Sequence, residues 1–386
     1  MTGHDPQTDP SRRRFLAALG GTAVLTLWPG LSTAASGGQT RLVVVLLRGA
    51  MDGLHLLPPR GDADYLRHRG ELAVRDALAL DGSFGLHPKM TFAHALYAEK
   101  QLLPLVAVAP PYRQRSHFDA QDCLENGTAT PGGARDGWIG RCIEAMATSE
   151  GVAIAQVMPL SMRGSERAGI WSPPLPRDLP DALIQQLQPL YAADARLAPV
   201  FADAMEAAAT EMGDRRGAFR LPDAMAAAAK RMRGPDAARI AFVEDSGWDT
   251  HRGQQLALDR KFGELDAGLR AIREGLAEDW NRTAVVVVTE FGRTVASNGS
   301  AGTDHGVGGM ALLAGGAVRG GRVGGDWPGL AAGALLEGRD LRPTMDMRAL
   351  FKGLLAVHLA VPEAVLETRI FPDSRAVRPL EGLLRG

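Results

Sequence analysis

Only two cysteines stand among the 386 residues. That is too few for a disulfide-built scaffold or a Cys-rich zinc or iron–sulfur site. No apolar run reaches the ~18 residues that a membrane-spanning helix needs, which excludes a multipass membrane protein. Charge of either sign is scarce in excess: 43 Lys+Arg against 44 Asp+Glu give a formal net charge of -1. Such a chain has no electrostatic drive toward nucleic acid or an acidic surface. The one Gly-rich run, Gly315 to Gly325, lacks the Lys-Ser/Thr of a phosphate-binding loop and the spacing of a dinucleotide site. It reads as a loop or hairpin. No internal repeat is present. What remains is 45% hydrophobic and 23% charged residues, the ordinary balance of a folded domain.

The N-terminus carries the clearest local signal. Ser11-Arg12-Arg13-Arg14-Phe15-Leu16 precedes a weakly apolar stretch to Leu31 that Gly20, Gly21 and Pro29 interrupt. Small residues follow at Ser32-Thr33-Ala34-Ala35-Ser36, like a cleavage site. Paired arginines before Phe-Leu are similar to a twin-arginine (Tat) signal over residues 1–35. The expectation is a protein handed to the Tat export machinery and acting in the periplasm or outside the cell. No membrane span is expected after cleavage.

The rest alternates between two patterns. Short Val- and Leu-rich runs at 41–47, 102–109, 152–157, 239–243, 284–289 and 310–314 read as strands buried on both faces. Helical periodicity occupies 91–103, 138–147, 254–277 and 346–359. In the third, Leu258, Phe262, Leu265, Leu269, Ile272 and Leu276 recur every three or four residues. The alternation predicts one doubly wound α/β domain over about residues 40–386. An Ala-rich stretch, 181–233, reads as a helical insertion in it. Cys123 and Cys142 are either a disulfide, which an oxidising compartment permits, or two separately buried thiols.

Sites in such sheets sit at the C-terminal ends of strands, and four strands are followed at once by polar segments. After the first come Arg48, Asp52 and His55. After the second come Arg115, Ser116, His117, Asp119, Gln121 and Asp122. The third candidate holds Glu244, Asp245, Asp249 and His251. The fourth holds Glu290 and Arg293, with Asp304 and His305 a short loop later. Oxygen and imidazole donors from several strand ends suit a divalent metal: Zn, Mn, Mg or Ca. Each residue also has a plainer reading. Asp52-Gly53 makes a turn, Ser116-x-x-Asp119 makes a capping box, and Arg293 is the natural partner of a buried Glu290. Convergence of Asp52, Ser116, His117, Asp249, His251, Glu290 and His305 in one pocket is expected if the sheet is parallel. Arg48, Arg115 and Arg293 turned inward would be the alternative to a bound cation.

The ordered motifs Leu47-Arg48-Gly49-Ala50-Met51-Asp52-Gly53-Leu54, Arg115-Ser116-His117-Phe118-Asp119-Ala120-Gln121-Asp122, Gly247-Trp248-Asp249-Thr250-His251, Thr289-Glu290-Phe291-Gly292-Arg293-Thr294 and Gly302-Thr303-Asp304-His305-Gly306 resemble those of the bacterial domain-of-unknown-function 1501 family. The resemblance spans essentially the whole chain after the leader. It implies an alkaline-phosphatase/sulfatase-like three-layer α/β/α sandwich with a mostly parallel sheet, but no reaction. Carried over from that superfamily, Ser116 matches the nucleophile; in a hydrolase, Arg115 would help to hold the anionic oxygens of the substrate. Asp52, His117, Asp249, His251, Glu290, Asp304 and His305 form the candidate metal-ligand set. Two positions depart from the superfamily. Arg48, not an acid, follows the first strand, and Glu290-Phe291 stands where Asp-His is usual. One functional expectation is metal-dependent hydrolysis of a small phosphate or sulfate ester. The alternative is a non-catalytic envelope binding or assembly protein, working with another envelope protein on a degenerate hydrolase fold.

Overall fold

The computed structural model describes residues 39–146, 149–173, 181–194, 197–199, 202, 219–234 and 237–385. The leader at 1–35 lies outside them. So does much of the expected insertion, of which helices Asp181–Ala192 and Leu221–Arg231 are described.

Ten strands follow in chain order: β1 (Arg41–Leu47), β2 (Leu78–Ala79), β3 (Gly85–Leu86), β4 (Leu102–Ala109), β5 (Gly151–Ile154), β6 (Ala168–Trp171), β7 (Ile240–Asp245), β8 (Thr283–Val288), β9 (Gly309–Ala314) and β10 (Met345–Asp346). β2 and β3 pair only with each other. The other eight form one sheet in the order β10-β4-β9-β8-β1-β7-β5-β6. All neighbours are parallel except β9, which runs antiparallel to both β4 and β8. The fold is therefore α/β with a mostly parallel sheet, as expected.

β1 lies between β7 and β8 and is buried along its whole length. Its side chains alternate between the two faces, as pleating requires. Val43, Val45 and Leu47 join one core with helices Thr91–Ala98, Leu221–Arg231 and Gln254–Leu276. Leu42, Val44 and Leu46 join the other, with helices Trp138–Ala145 and Met347–His358. That gives the three layers. The long helix Gln254–Leu276 buries the stripe read from the sequence, Leu258 through Leu276. The strands and helices that were expected differ from the structure only at their ends, while the short strands β2, β3, β6 and β10 were not among them. The helix expected to reach residue 103 stops at Ala98, because residues 102–109 are needed for β4.

Parallel strands β1, β4, β7 and β8 end on one edge, which places the segments after them together. β9 brings a fifth. Being antiparallel, it starts on the edge where β8 ends, so the whole connection 289–308 stays there. Cys123 and Cys142 are free and buried, and burial pushes both thiols up to about 12. They pack as small apolar residues, which answers the disulfide alternative. No helix among the described residues is long and apolar enough to cross a membrane.

The long helix gives the first prediction. Leu265 is fully buried between helix and sheet, so Leu265→Ala should cost about 2–5 kcal/mol. Urea unfolding measures it; a loss under about 1 kcal/mol would contradict this packing.

Candidate functional site

The site is assembled around a backbone crossing. Gly49, at φ +117°, lies so close to the β7 segment that a Cβ there would stand 2.5 Å from the amide nitrogen of Asp249. Only glycine permits both the conformation and the approach. The Gly49 N–H donates to Glu290 Oε1 at 2.8 Å. Arg293, from the turn after β8, then ties the pieces together. Its guanidinium donates to the carbonyls of Ala50 (2.7 Å), Gly49 (2.7 Å), Thr303 (3.1 Å) and Trp248 (3.2 Å), and to Asp249 Oδ1 (2.5 Å).

Three imidazoles meet on this platform. His117 begins helix His117–Asn126 after β4, His251 follows β7, and His305 precedes β9. His305 Nε2 lies 3.0 Å from His117 Nε2 and 3.0 Å from His251 Nε2. Asp249 stands among them: Oδ1 is 3.0 Å from His251 Nε2 and 3.3 Å from His305 Nε2, and Oδ2 is 3.6 Å from His117 Nε2. His117, Asp249 and His305 can each direct one donor atom so that all three lie within 4.8 Å of one another. His251 adjoins two of them.

The opposite nitrogens each face an acceptor. His117 Nδ1 faces Glu290 Oε1 at 2.7 Å, His251 Nδ1 faces Asp304 Oδ1 at 3.2 Å, and His305 Nδ1 faces the Arg115 carbonyl at 3.2 Å. Carboxylates and carbonyls only accept, so His117 Nδ1, much nearer its acceptor than Nε2 is to Asp249, carries the hydrogen and turns the Nε2 lone pair inward. His251 and His305 face an acceptor from both nitrogens, and a cation among the Nε2 atoms would place their hydrogens on Nδ1 as well. Lone pairs facing at this range repel unless a cation or a proton lies between them. Donors around a tetrahedral zinc, at 2.0–2.1 Å from it, stand about 3.3 Å apart. The observed spacing and the imidazole-carboxylate chemistry fit such an ion.

Electrostatics keep the site charged. Burial pushes the Glu290 carboxyl upward, but hydrogen bonds from His117, Gln121 and Gly49 outweigh it and hold its pKa below the usual range. The bond to Glu290 raises His117, against burial. Burial, with His117 and Arg293 nearby, lowers His305. Asp249 is lowered despite burial because Arg293 pairs with it.

The sequence profile described as "Protein of unknown function (DUF1501)" matches residues 109–368, well over half of the chain. The chain belongs to that family. No curated protein matches its sequence. Solved structures similar to this DUF1501 chain include murine ectonucleotide pyrophosphatase/phosphodiesterase 5, at 13% identity over 66% of this chain and TM-score 0.31. The chain spans 57% of that protein's length. Others are the C-terminal periplasmic domain of EcEptC from Escherichia coli in complex with Zn (11% identity, 72% of this chain, 74% of that one, TM-score 0.34) and an alkaline phosphatase superfamily protein from Vibrio parahaemolyticus (10%, 73%, 61%, TM-score 0.33). These are likenesses of fold.

Of the residues singled out in the DUF1501 sequence, His117, Asp249, His251, Glu290, Asp304 and His305 come together. Asp52 does not join them. It is fully buried against Arg69 (2.5 and 2.9 Å), accepts from Gln254 (2.6 Å) and caps the turn Gly53–Leu56. Arg69 lies in a short helix that carried no sequence signal for this role. Arg115 reaches the site through its carbonyl, while its guanidinium is spent on Glu337 and Asp340. Arg48 pairs with Glu125 and Glu244 and holds Gln121, which in turn donates to Glu290. Arg293 takes Asp249 and four carbonyls rather than Glu290, whose oxygens are already filled. The capping box at Ser116 is not formed: its side chain makes no cap bond, and Asp119 accepts from Tyr112 instead. Asn298, unnoticed in the sequence, donates to Asp304 Oδ1 at 3.1 Å.

Two expectations follow. With zinc as the probe for a divalent ion at this cluster, Glu290→Gln would weaken its binding about 10–100-fold, as loss of an outer partner to a ligating histidine does; competition titration against a chelating dye reads it, and equal affinity of parent and variant would contradict the orienting role. Burial opposes ionisation of Asp52, yet Arg69 and Gln254 lower its pKa from 3.8 to about 2. The folded state therefore gains from this carboxylate above pH 3.8 and loses that gain as pH falls through about 2. Unfolding free energy followed over that interval should fall by about 2 kcal/mol more in the parent protein than in Asp52→Asn.

Proposed function

We propose that the chain is an exported, metal-dependent hydrolase of small phosphate or sulfate esters. One observation carries this reading: three histidines with every Nδ1 tied to its own acceptor and every Nε2 turned on Asp249. Structural histidines in a core have no need of convergent lone pairs.

His117, Asp249 and His305 would hold a divalent ion, with His251 beside them. Such an ion supplies Lewis acidity toward an ester oxygen or water. The chain's own residues do the rest. Glu290 and the Arg115 carbonyl keep His117 and His305 in the donor tautomer. Ser116, next to His117 at a helix start, has a hydroxyl not spent on capping and is the nucleophile of this reading. The first-turn amides of helix His117–Asn126 receive no side-chain cap among the described residues. They offer N–H donors and the positive dipole end to an ester's anionic oxygens. Arg115, committed to two acids, would reach substrate only after leaving them. Zinc is favoured by three imidazoles over Mg or Ca, which prefer oxygen. Tat export would place the activity in the periplasm or outside the cell.

The Arg293–Asp249 pair favours a second reading. A guanidinium already balances the carboxylate, as in an envelope binding or assembly protein built on a hydrolase fold. Metal analysis of protein purified after export, followed by aryl phosphate, phosphodiester and sulfate ester assays, separates the two. Expected are a stoichiometric divalent ion and turnover of at least one ester class. Ser116→Ala should lower kcat at least about a hundredfold with the ion retained, and His117→Ala should lose the ion. Bound metal without turnover moves the case to the binding protein; no metal at all overturns the hydrolase.

A further inference from the structure

Residue 115 joins two parts of the cluster. Its carbonyl lies 3.2 Å from His305 Nδ1. The next two residues are Ser116, at the N-cap, and His117, the first residue of helix His117–Asn126. The dihedrals of residue 115 therefore set both the direction of that carbonyl and the path of the chain into the helix. Arg115 adopts φ +61°. This left-handed conformation crowds Cβ against the following carbonyl oxygen. Glycine takes it freely, whereas a residue with a side chain keeps it where the surroundings fix it.

What fixes it here is a clamp on the side chain. Arg115 Nε donates to Asp340 Oδ2 at 2.8 Å, and Nη2 reaches the same oxygen at 2.7 Å and Glu337 Oε2 at 2.6 Å. Asp340 is fully buried, where a carboxylate without a partner would be costly. The two acids come from one tight turn, residues 336–340. Leu336 and Asp340 exchange backbone hydrogen bonds of 2.9 and 3.0 Å. Between them Glu337 and Gly338 lie at φ +55° and +66°, the signs of a type I′ hairpin turn. The same turn also reaches His305: Arg339 Nη2 donates to the His305 carbonyl at 2.8 Å. One turn thus grips both ends of the contact, Arg115 by its side chain and His305 by its backbone.

We propose that Arg115 is a positioning residue, locked by Asp340 and Glu337 in the left-handed conformation that aims its carbonyl at His305 Nδ1 and so turns His305 Nε2 toward Asp249 and His117. The guanidinium acts through the backbone and stays on the two acids. Zinc as a readout of this role rests on the metal reading of the cluster; the placement of His305 does not.

Two substitutions separate the lock from any chemistry of the guanidinium itself. Arg115→Ala removes the clamp and keeps the strain. Arg115→Gly removes the same guanidinium but relieves the strain. Two measurements on the full chain are compared: imidazole NMR signals of His305 after chelation, and zinc affinity by dye competition. Arg115→Ala should displace the His305 signals and weaken zinc binding about 10–100-fold, the loss expected when the outer partner of a ligating histidine is disturbed. Arg115→Gly should keep the His305 signals at the parent's positions and bind zinc at least about tenfold more tightly than Arg115→Ala. A double variant, Glu337→Gln with Asp340→Asn, keeps Arg115 and removes both charges that hold it. It should move the His305 signals as Arg115→Ala does, and it carries the test if Arg115→Ala does not fold. The proposal is overturned if the alanine and glycine variants give the same His305 signals, whether at the parent's positions or away from them, or if the double variant leaves those signals unmoved. A parent protein that binds no zinc overturns the metal reading instead, and the NMR comparison still decides the positioning role.

Discussion

Everything at the site depends on one buried guanidinium. Arg293 is 2% exposed, and a cation so placed must find acceptors for its N–H groups. It finds them in the loop after β1, the loop after β7 and the loop before β9. Each of those loops delivers part of the imidazole-carboxylate cluster or its support. The arrangement converts the desolvation demand of one side chain into a fixed relative position for three chain segments that are distant in sequence. Glu290 does the same with opposite sign, gathering donors from Gly49, Gln121 and His117.

The layout of the fold was legible because it is written in periodicity. The Val-rich runs at β1 and β8 could only be strands buried on both faces, and the Leu258-to-Leu276 stripe could only be a core helix. The convergence of His117, His251 and His305 followed from strand polarity. What could not be read was pairing. Nothing near Asp52 announces Arg69, and nothing near Glu290 says that its oxygens would be filled before Arg293 arrived. Buried ion pairs are chosen by three-dimensional packing, so a residue's local sequence bears little on its partner. Asp52 looked like a ligand for the same reason that it is a good capping and pairing group: it is a carboxylate just past a buried strand.

Asp249 is shared between two demands. Arg293 takes one of its oxygens at 2.5 Å, and that same atom also faces His251 and His305. The other oxygen faces His117. A guanidinium drains negative charge from the carboxylate and so weakens it as a donor to a further cation. The imidazoles bring no negative charge of their own. The cluster thus has less net negative charge than its list of residues suggests, which matters for any anionic ester brought to it.

The reversed direction of β9 has a further consequence. The other strands bearing site residues run on from the sheet edge toward helices, but residues 289–308 join two strands that are already neighbours. Their ends are held together by the ladder between β8 and β9, so the entropy of closing the connection is met by the sheet whatever lies between. The entropic cost of lengthening such a loop grows only slowly. Asn298 apart, which holds Asp304 and the His251 carbonyl, the stretch from Ala296 to Ala301, between Arg293 and His305, is therefore the part of the rim where a change of length would disturb the platform beneath least.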